Sequence, residues 1–208
     1  NYEYLSRNFR TDNLELSLKR EMVTTNSVTY SVDFSGDENI KSAKVTLYDS
    51  ENNIINNHTF INGEDEEFTF SGLTKNTSYK VILDEVLFKN TNYSKVYTIN
   101  TSVKTLKAKP SLGEVKVKAN EESKTFELSM EKPTDEDESI SNYIYKIYDL
   151  DAITEENVDT LTPVYTFSTV NLKNEILKLG ENNLASNKNY VYKVTVRYYD
   201  NSKENEID

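Results

Sequence analysis

His58 is the only histidine of the chain and lies in a polar stretch, Asn56-Asn57-His58-Thr59. With no cysteine and no second histidine beside it, one imidazole can join a metal site or activate a nucleophile only through distant carboxylates. Carboxylates are abundant, at Glu64 to Glu67, Asp135 to Glu138 and Glu155-Glu156. General acid–base work needs a sheltered carboxyl with a shifted pKa; runs of charge in loops are ordinarily solvated, and these read as surface. Asp135-Glu136-Asp137-Glu138 is the densest run, and calcium takes several oxygen ligands from such loops. Its four consecutive acids have neither the alternating ligand spacing nor the glycine of a calcium loop, so it reads as a plain acidic loop between two strands. Five glycines, none clustered, cannot cradle a phosphate. Sequons at Asn57, Asn76, Asn92 and Asn100 are no more than chance gives in so Asn- and Ser/Thr-rich a chain. There is no Arg-Gly-Asp tripeptide. Tyr143, Tyr145 and Tyr148 could stack on a sugar, but Tyr143 and Tyr145 share the parity of Ile147 and read as core. No catalytic, cofactor-binding or metal-ligating residue is assigned, and no cofactor is expected.

The bulk numbers narrow the classes further. Net charge is −11, with no cluster of Lys and Arg. Nucleic-acid binding needs a basic surface that displaces counterions, so nucleic acid is set aside, and anionic lipid with it. No apolar run approaches the ~18–20 residues of a membrane span, and membrane insertion is not expected. The absence of Cys removes disulfides and thiol chemistry without fixing a compartment. Aromatic content of 11%, with fifteen Tyr, eight Phe and no Trp, is enough to build a core and suits half-buried strands.

The elements that carry these residues alternate with a period of two. Val28, Tyr30, Val32 and Phe34 alternate with Thr29, Ser31 and Asp33, so every second side chain faces a core. Val45 and Leu47, Phe68 and Phe70, and Tyr97, Ile99 and Val103 continue the pattern. Turn signals fall between, at Ser35-Gly36-Asp37, Asp49 to Asn53, Asn62 to Asp65 and Lys89 to Asn92. Leu14 to Met22 reads as a strand. The second half repeats the plan: Val115 and Val117; Phe126, Leu128 and Met130; Tyr143, Tyr145 and Ile147; Val164 to Phe167; Ile176 to Leu179. Tyr190, Tyr192, Val194, Val196 and Tyr198 then keep one parity. Ala152 to Leu161 reads as a long loop, in which Thr154 could cap a turn or two of helix. The boundary falls at Leu106-Lys107-Ala108-Lys109-Pro110, because Pro110 cannot donate to a strand ladder.

Two landmarks occur in both halves. Tyr48-Asp49 and Tyr148-Asp149 each end a central strand. Gly72-Leu73-Thr74-Lys75-Asn76-Thr77-Ser78-Tyr79-Lys80-Val81 returns as Asn183-Leu184-Ala185-Ser186-Asn187-Lys188-Asn189-Tyr190-Val191-Tyr192. This resembles the tyrosine corner of fibronectin type III domains, in which a Leu, a turn and a Tyr open the sixth strand. The resemblance implies an all-β chain of two tandem immunoglobulin-like (fibronectin type III-like) β-sandwiches, at 13–107 and 108–208, after an N-terminal extension or linker at 1–12. It makes Leu73, Tyr79, Leu184 and Tyr190 structural residues, and it implies no enzyme. Two features depart from the family: its second-strand Trp is absent, with Tyr30 and Phe126 where it might be, and there is no Pro between Leu and Tyr.

The Asn, Lys, Ile and Tyr bias resembles proteins of AT-rich Gram-positive bacteria and their phages. The expected function is therefore that of non-catalytic structural or spacer modules in a larger bacterial surface or phage tail protein, extracellular, at the cell surface or in the virion. The other domains of that parent protein are the expected partners. The alternative is a carbohydrate- or protein-binding adhesion module accessory to a secreted enzyme or adhesin. One further expectation concerns the last strand: the offset from Tyr190 leaves few residues for it, so the second sandwich is expected to be truncated there, with Asp200-Asn201-Ser202-Lys203 as its hairpin turn.

Overall fold

A computed structural model describes residues 16–35, 38–64, 67–89, 94–157, 160–201 and 203–208, of which 94–97 are described in backbone alone. The extension placed at 1–12 and the start of the strand read from Leu14 lie outside these residues. The chain divides into two compact units, Asn1–Leu106 and Lys107–Asp208.

The described residues of unit 1 form seven strands: β1 (Ser17–Val23), β2 (Ser27–Asp33), β3 (Ile40–Tyr48), β4 (Ile54–Ile61), β5 (Phe68–Ser71), β6 (Ser78–Phe88) and β7 (Ser94–Lys104). They form two antiparallel sheets, ordered β1-β2-β5 and β4-β3-β6-β7. The period of two sends Val28, Tyr30 and Val32 from β2 and Tyr79, Val81 and Leu83 from β6 into one shared core. At one margin of the sandwich, His58 of β4 stacks on Phe68 of β5 with ring centroids 3.8 Å apart, and meets Phe60 edge-on. The lone histidine thus closes an aromatic cluster that spans the two sheets.

Unit 2 repeats the plan with β8 (Val115–Asn120), β9 (Thr125–Met130), β10 (Ile140–Asp149), β11 (Tyr165–Thr169), β12 (Glu175–Lys178), β13 (Tyr190–Asp200) and β14 (Lys203–Ile207). Its sheets run β8-β9-β12 and β11-β10-β13-β14. In both units the fourth strand pairs with the third and not with the fifth. A constant-type immunoglobulin domain does the reverse, with four strands in the sheet of its first strand and three in the other. The chain is therefore two tandem immunoglobulin-like sandwiches of the fibronectin type III-like kind.

Both Tyr-Asp landmarks organise loops. Asp49 Oδ1 accepts the N–H groups of Glu51 and Asn53 at 2.9 and 2.8 Å, and Asp149 accepts the N–H of Asp151. The second of these caps a 3-10 turn, Leu150–Ala152. The capping carboxylate lies five residues before Thr154, the cap read from sequence, because an aspartate ending a strand reaches the N–H two residues on. Asn157 holds the rest of the loop, taking the Thr154 N–H at 2.8 Å and donating to the Ala152 carbonyl at 2.9 Å.

The two cores are not equal. Among the described residues, seventeen buried apolar residues make up the first and nine the second. The positions read as replacing the family's Trp also differ. Tyr30 is wholly buried, whereas Phe126 is half-buried and the deeply buried residues of β9 are Leu128 and Met130.

Candidate functional site

The repeated decapeptide is a repeat of backbone angles as well as residue types. Gly72 and Asn183 both have positive φ (76° and 62°), as do Asn76 and Asn187 (52° and 63°). Gly, and less readily Asn, adopts this left-handed conformation. The chain therefore turns twice in the same way before each Tyr. Tyr79 Oη accepts a hydrogen bond from the Thr74 N–H at 2.9 Å, and Tyr190 Oη accepts one from the Ala185 N–H at 2.8 Å. Leu73 and Leu184 are buried beside them.

The surroundings of the two corners diverge. Around Tyr79, β7 delivers Val103 into the core, and Thr105 follows with its hydroxyl shared between the Thr74 carbonyl (2.7 Å) and the Thr77 N–H (2.9 Å). Tyr79 is buried. Tyr190 is half-buried, and among the described residues no strand pairs with β13 beside it as β7 pairs beside Tyr79. β14 pairs only with Val196 to Asp200 of β13, whereas β7 runs the whole way to Ser78. The turn between β13 and β14 centres on Asn201, at φ 46°, with Asp200 opposite Lys203.

Val117, Ala119, Phe126, Leu128, Ile147, Tyr190 and Tyr192 line an apolar groove of about 380 Å³ between the sheets. Tyr192 reaches across it, its hydroxyl 3.3 Å from the Val115 carbonyl. A second groove of about 500 Å³ lies on the other face of the same stretch of β13, lined by Lys146, Tyr148, Ile153, Leu161 and Lys193. Tyr143 and Tyr145 are buried, at 9% and 1% exposure, whereas Tyr148, the third tyrosine considered for sugar stacking, borders the second groove. Sequence alternation marked Val117 and Phe126 as core. The short last strand is read from the offset of Tyr190, and the described β14 pairs with Val196 to Asp200 of β13.

The acidic run of unit 2 is taken up by the fold. Asp135 accepts the N–H of Ser139 at 2.9 Å, its hydroxyl at 2.8 Å and the N–H of Ile140 at 2.8 Å. Asp137 accepts the Ala108 N–H at 2.7 Å, and its carbonyl takes the Lys107 ammonium at 3.0 Å. Asp200 accepts the Lys107 N–H at 2.9 Å. Among the described residues no group of three or more potential ligands could hold a metal ion. Melting midpoints in calcium and in chelator are expected to coincide; a rise of several degrees with calcium would contradict the capping role given to these acids.

Burial works to raise the pKa of Asp135, but the Ser139 and Ile140 N–H groups, the Ser139 hydroxyl and the Lys107 charge outweigh it, and the carboxyl is held below its usual value. In the unfolded chain the group returns to about 3.9. The stability it supplies is therefore whole above that pH and is lost as pH falls through the depressed folded value. Urea midpoints of the unit 2 signals, compared at neutral pH and near pH 3, should fall less in Asp135→Asn than in the parent. Parallel falls would show that Asp135 carries none of the acid sensitivity.

No protein-family model matches the sequence, and a search of curated proteins found no relative. Among solved structures the chain is similar to a two-domain fibronectin type III segment of chicken tenascin, at 11% identity. That match covers 92% of this chain and 94% of the other, with a TM-score of 0.40. The fold assignment rests on the strand order above. Among the described residues no helix is long and apolar enough to cross a membrane.

Proposed function

We propose that the chain is a pair of non-catalytic structural modules of a larger bacterial surface or phage tail protein, placed outside the cell, where they space, orient or display the domains on either side. The observation that carries this reading is the joint. Leu106 donates its N–H to the Thr24 carbonyl and accepts from Asn76, both within unit 1. Lys107 and Ala108 donate theirs to Asp200 and Asp137, both within unit 2. One peptide bond separates residues tied to different units, so the junction itself has no run of Gly or Ser of the kind that makes a linker slack. The acidic surface supports an extracellular, soluble display role, and nothing in its charge suits nucleic acid.

Residual dipolar couplings test the reading. The two units should share one alignment tensor, and insertion of a short Gly-Ser segment between Leu106 and Lys107 should separate the tensors. Independent tensors in the parent chain would overturn the spacer role. A second reading, an adhesion module, draws on the grooves of unit 2. They favour a protein partner over a glycan, since Tyr143 and Tyr145 are spent in the core.

A further inference from the structure

We infer that β4 of unit 1 is a pairing edge for β4 of a second copy of this chain, the two strands running antiparallel about a two-fold axis at His58. The inference does not depend on the spacer reading.

An edge strand presents unpaired N–H and C=O groups, and folded chains guard such edges with lysine, proline or short length. Most sheet edges of this protein are guarded. β1, β7, β8, β12 and β14 carry lysine, at Lys19, Lys104, Lys116, Lys178 and Lys203 among others. β5 has four residues. β11 has five, with the Lys173 ammonium 4.6 Å from the ring centre of Phe167. β4 differs. It is eight residues long, lies at the end of its sheet and pairs, among the described residues, only with β3. From Asn52 to Gly63 the chain has no Asp, Glu, Lys, Arg or Pro. Ile54, Ile55 and Ile61 are 61%, 47% and 38% exposed. The bulge beside Tyr48 falls at Ile55 and leaves Asn56 to Ile61 in regular register.

The phase of the ladder shows what this edge offers. Asn62 donates its N–H to the Lys41 carbonyl at 3.0 Å, so the even-numbered residues of β4 bond to β3, and Asn57 and Thr59 aim their N–H and C=O groups away from it. The Asn57 N–H is accordingly met by the side chain of its own neighbour, Asn56 Oδ1, at 2.8 Å. A carbonyl of an added strand can replace that local bond. The Ile61 carbonyl accepts the Glu64 N–H at 3.1 Å, so the new ladder centres on Asn57 and Thr59.

The order of side chains selects the occupant. With the axis at His58, Asn57 lies opposite Thr59 of the second copy, and Ile55 lies opposite its Ile61, once on each side of the axis. Opposed residues of an antiparallel pair share a face, so each exposed isoleucine covers another. Lys44, beside Thr59, then looks across the two joined strands toward Thr46 of the second copy and not toward its own counterpart. No like charges are set opposite each other, which matters for two chains that each carry a net charge of −11. A contact that uses the same strand on both copies closes on itself and stops at a dimer.

Sedimentation of the full 208-residue chain, from micromolar to millimolar concentration, should show a monomer–dimer equilibrium that strengthens as added salt screens the net charges. Ile55→Lys combined with Ile61→Lys sets lysine opposite lysine twice and removes the isoleucine contacts. It should raise the dissociation constant by roughly tenfold or more, and circular dichroism should show the fold intact, because both side chains are exposed. The register is read by cross-linking, which is clean because the chain has no cysteine of its own. Separate Ile55→Cys and Ile61→Cys chains should form a disulfide when mixed under mild oxidation. Neither should do so alone, since identical positions lie about 20 Å apart along the paired strands. A chain that stays monomeric at millimolar concentration in high salt would exclude a second copy as the occupant. A dimer left unchanged by the two lysines, or an Ile55→Cys chain that cross-links with itself, would equally overturn the pairing.

Discussion

Tyr79→Ala should destabilise unit 1 by about 3–5 kcal/mol, the usual cost of removing a large buried ring and leaving its cavity. Tyr79→Phe should cost only about 1 kcal/mol, the net worth of the hydrogen bond from Thr74. Tyr30→Phe should act in the opposite direction. Tyr30 is as deeply buried as any described residue, yet its hydroxyl has no hydrogen-bond partner among the described residues. A buried unsatisfied hydroxyl carries a desolvation penalty of about 1–3 kcal/mol, so deleting it stabilises unit 1 by a similar order. Burial, opposed weakly by Arg20, pushes the Tyr30 phenol up to about 12. An unfolded tyrosine ionises near 10. The neutral folded form therefore supplies stability that is whole below pH ~10 and is lost as pH climbs toward 12; Tyr30→Phe should remove that share of the alkaline loss. Urea midpoints read from methyl resonances of unit 1 decide the matter. A Tyr30→Phe chain that loses as much stability as Tyr79→Phe would mean that the hydroxyl is bonded after all.

Heating should unfold unit 2 well before unit 1. Nine buried apolar residues against seventeen is a deficit of eight, and each buried aliphatic or aromatic side chain is worth about 1.5–3 kcal/mol of transfer free energy before ordering costs are subtracted. Only part of that survives as net stability. For domains of about 100 residues, each net kilocalorie moves the midpoint by about 4–8 °C, so a gap of ~10 °C or more is expected. The ion pairs of the β13–β14 hairpin, such as Arg197 with Glu206 at 2.6 Å, do not close it, because exposed pairs contribute little. Calorimetry should resolve two transitions, with the resonances of Leu177 and Leu184 broadening in the first. A single transition, or loss of the unit 1 signals first, would refute the ranking of the cores.

The fold was legible because alternation is a local property. Val28 to Phe34 and Tyr190 to Tyr198 declare their inner faces without reference to any partner, and the Leu-to-Tyr spacing fixes where the sixth strand opens. Pairing choices are not local. The sequence of β4, with Ile54, Ile55 and Ile61 exposed, gives little sign that it belongs beside β3. The difference between the corners is likewise a matter of what lies across from them. Tyr190 has the same Leu, the same positive-φ positions and the same hydroxyl bond as Tyr79, and differs in that β14, among the described residues, pairs only farther along β13. The acidic run misled in a subtler way. Asp135 and Asp137 look alike in sequence, but each caps a different backbone segment, and only the folded path of Lys107 and Ala108 reveals the second role.

The tethering of Lys107 and Ala108 gives the joint a further property. Trypsin cuts an extended chain after lysine, but a following proline blocks the cut, so Lys109-Pro110 is shielded by its own sequence and Lys107-Ala108 is the scissile bond of the junction. Cleavage needs that bond to leave the surface and enter the protease as a flexible strand. While unit 2 is folded, Asp200 and Asp137 hold the two amides of the bond's flanking residues. Nicking at the junction thus becomes a clock for the opening of the second unit, and the fragment it releases first is an intact, still folded first unit.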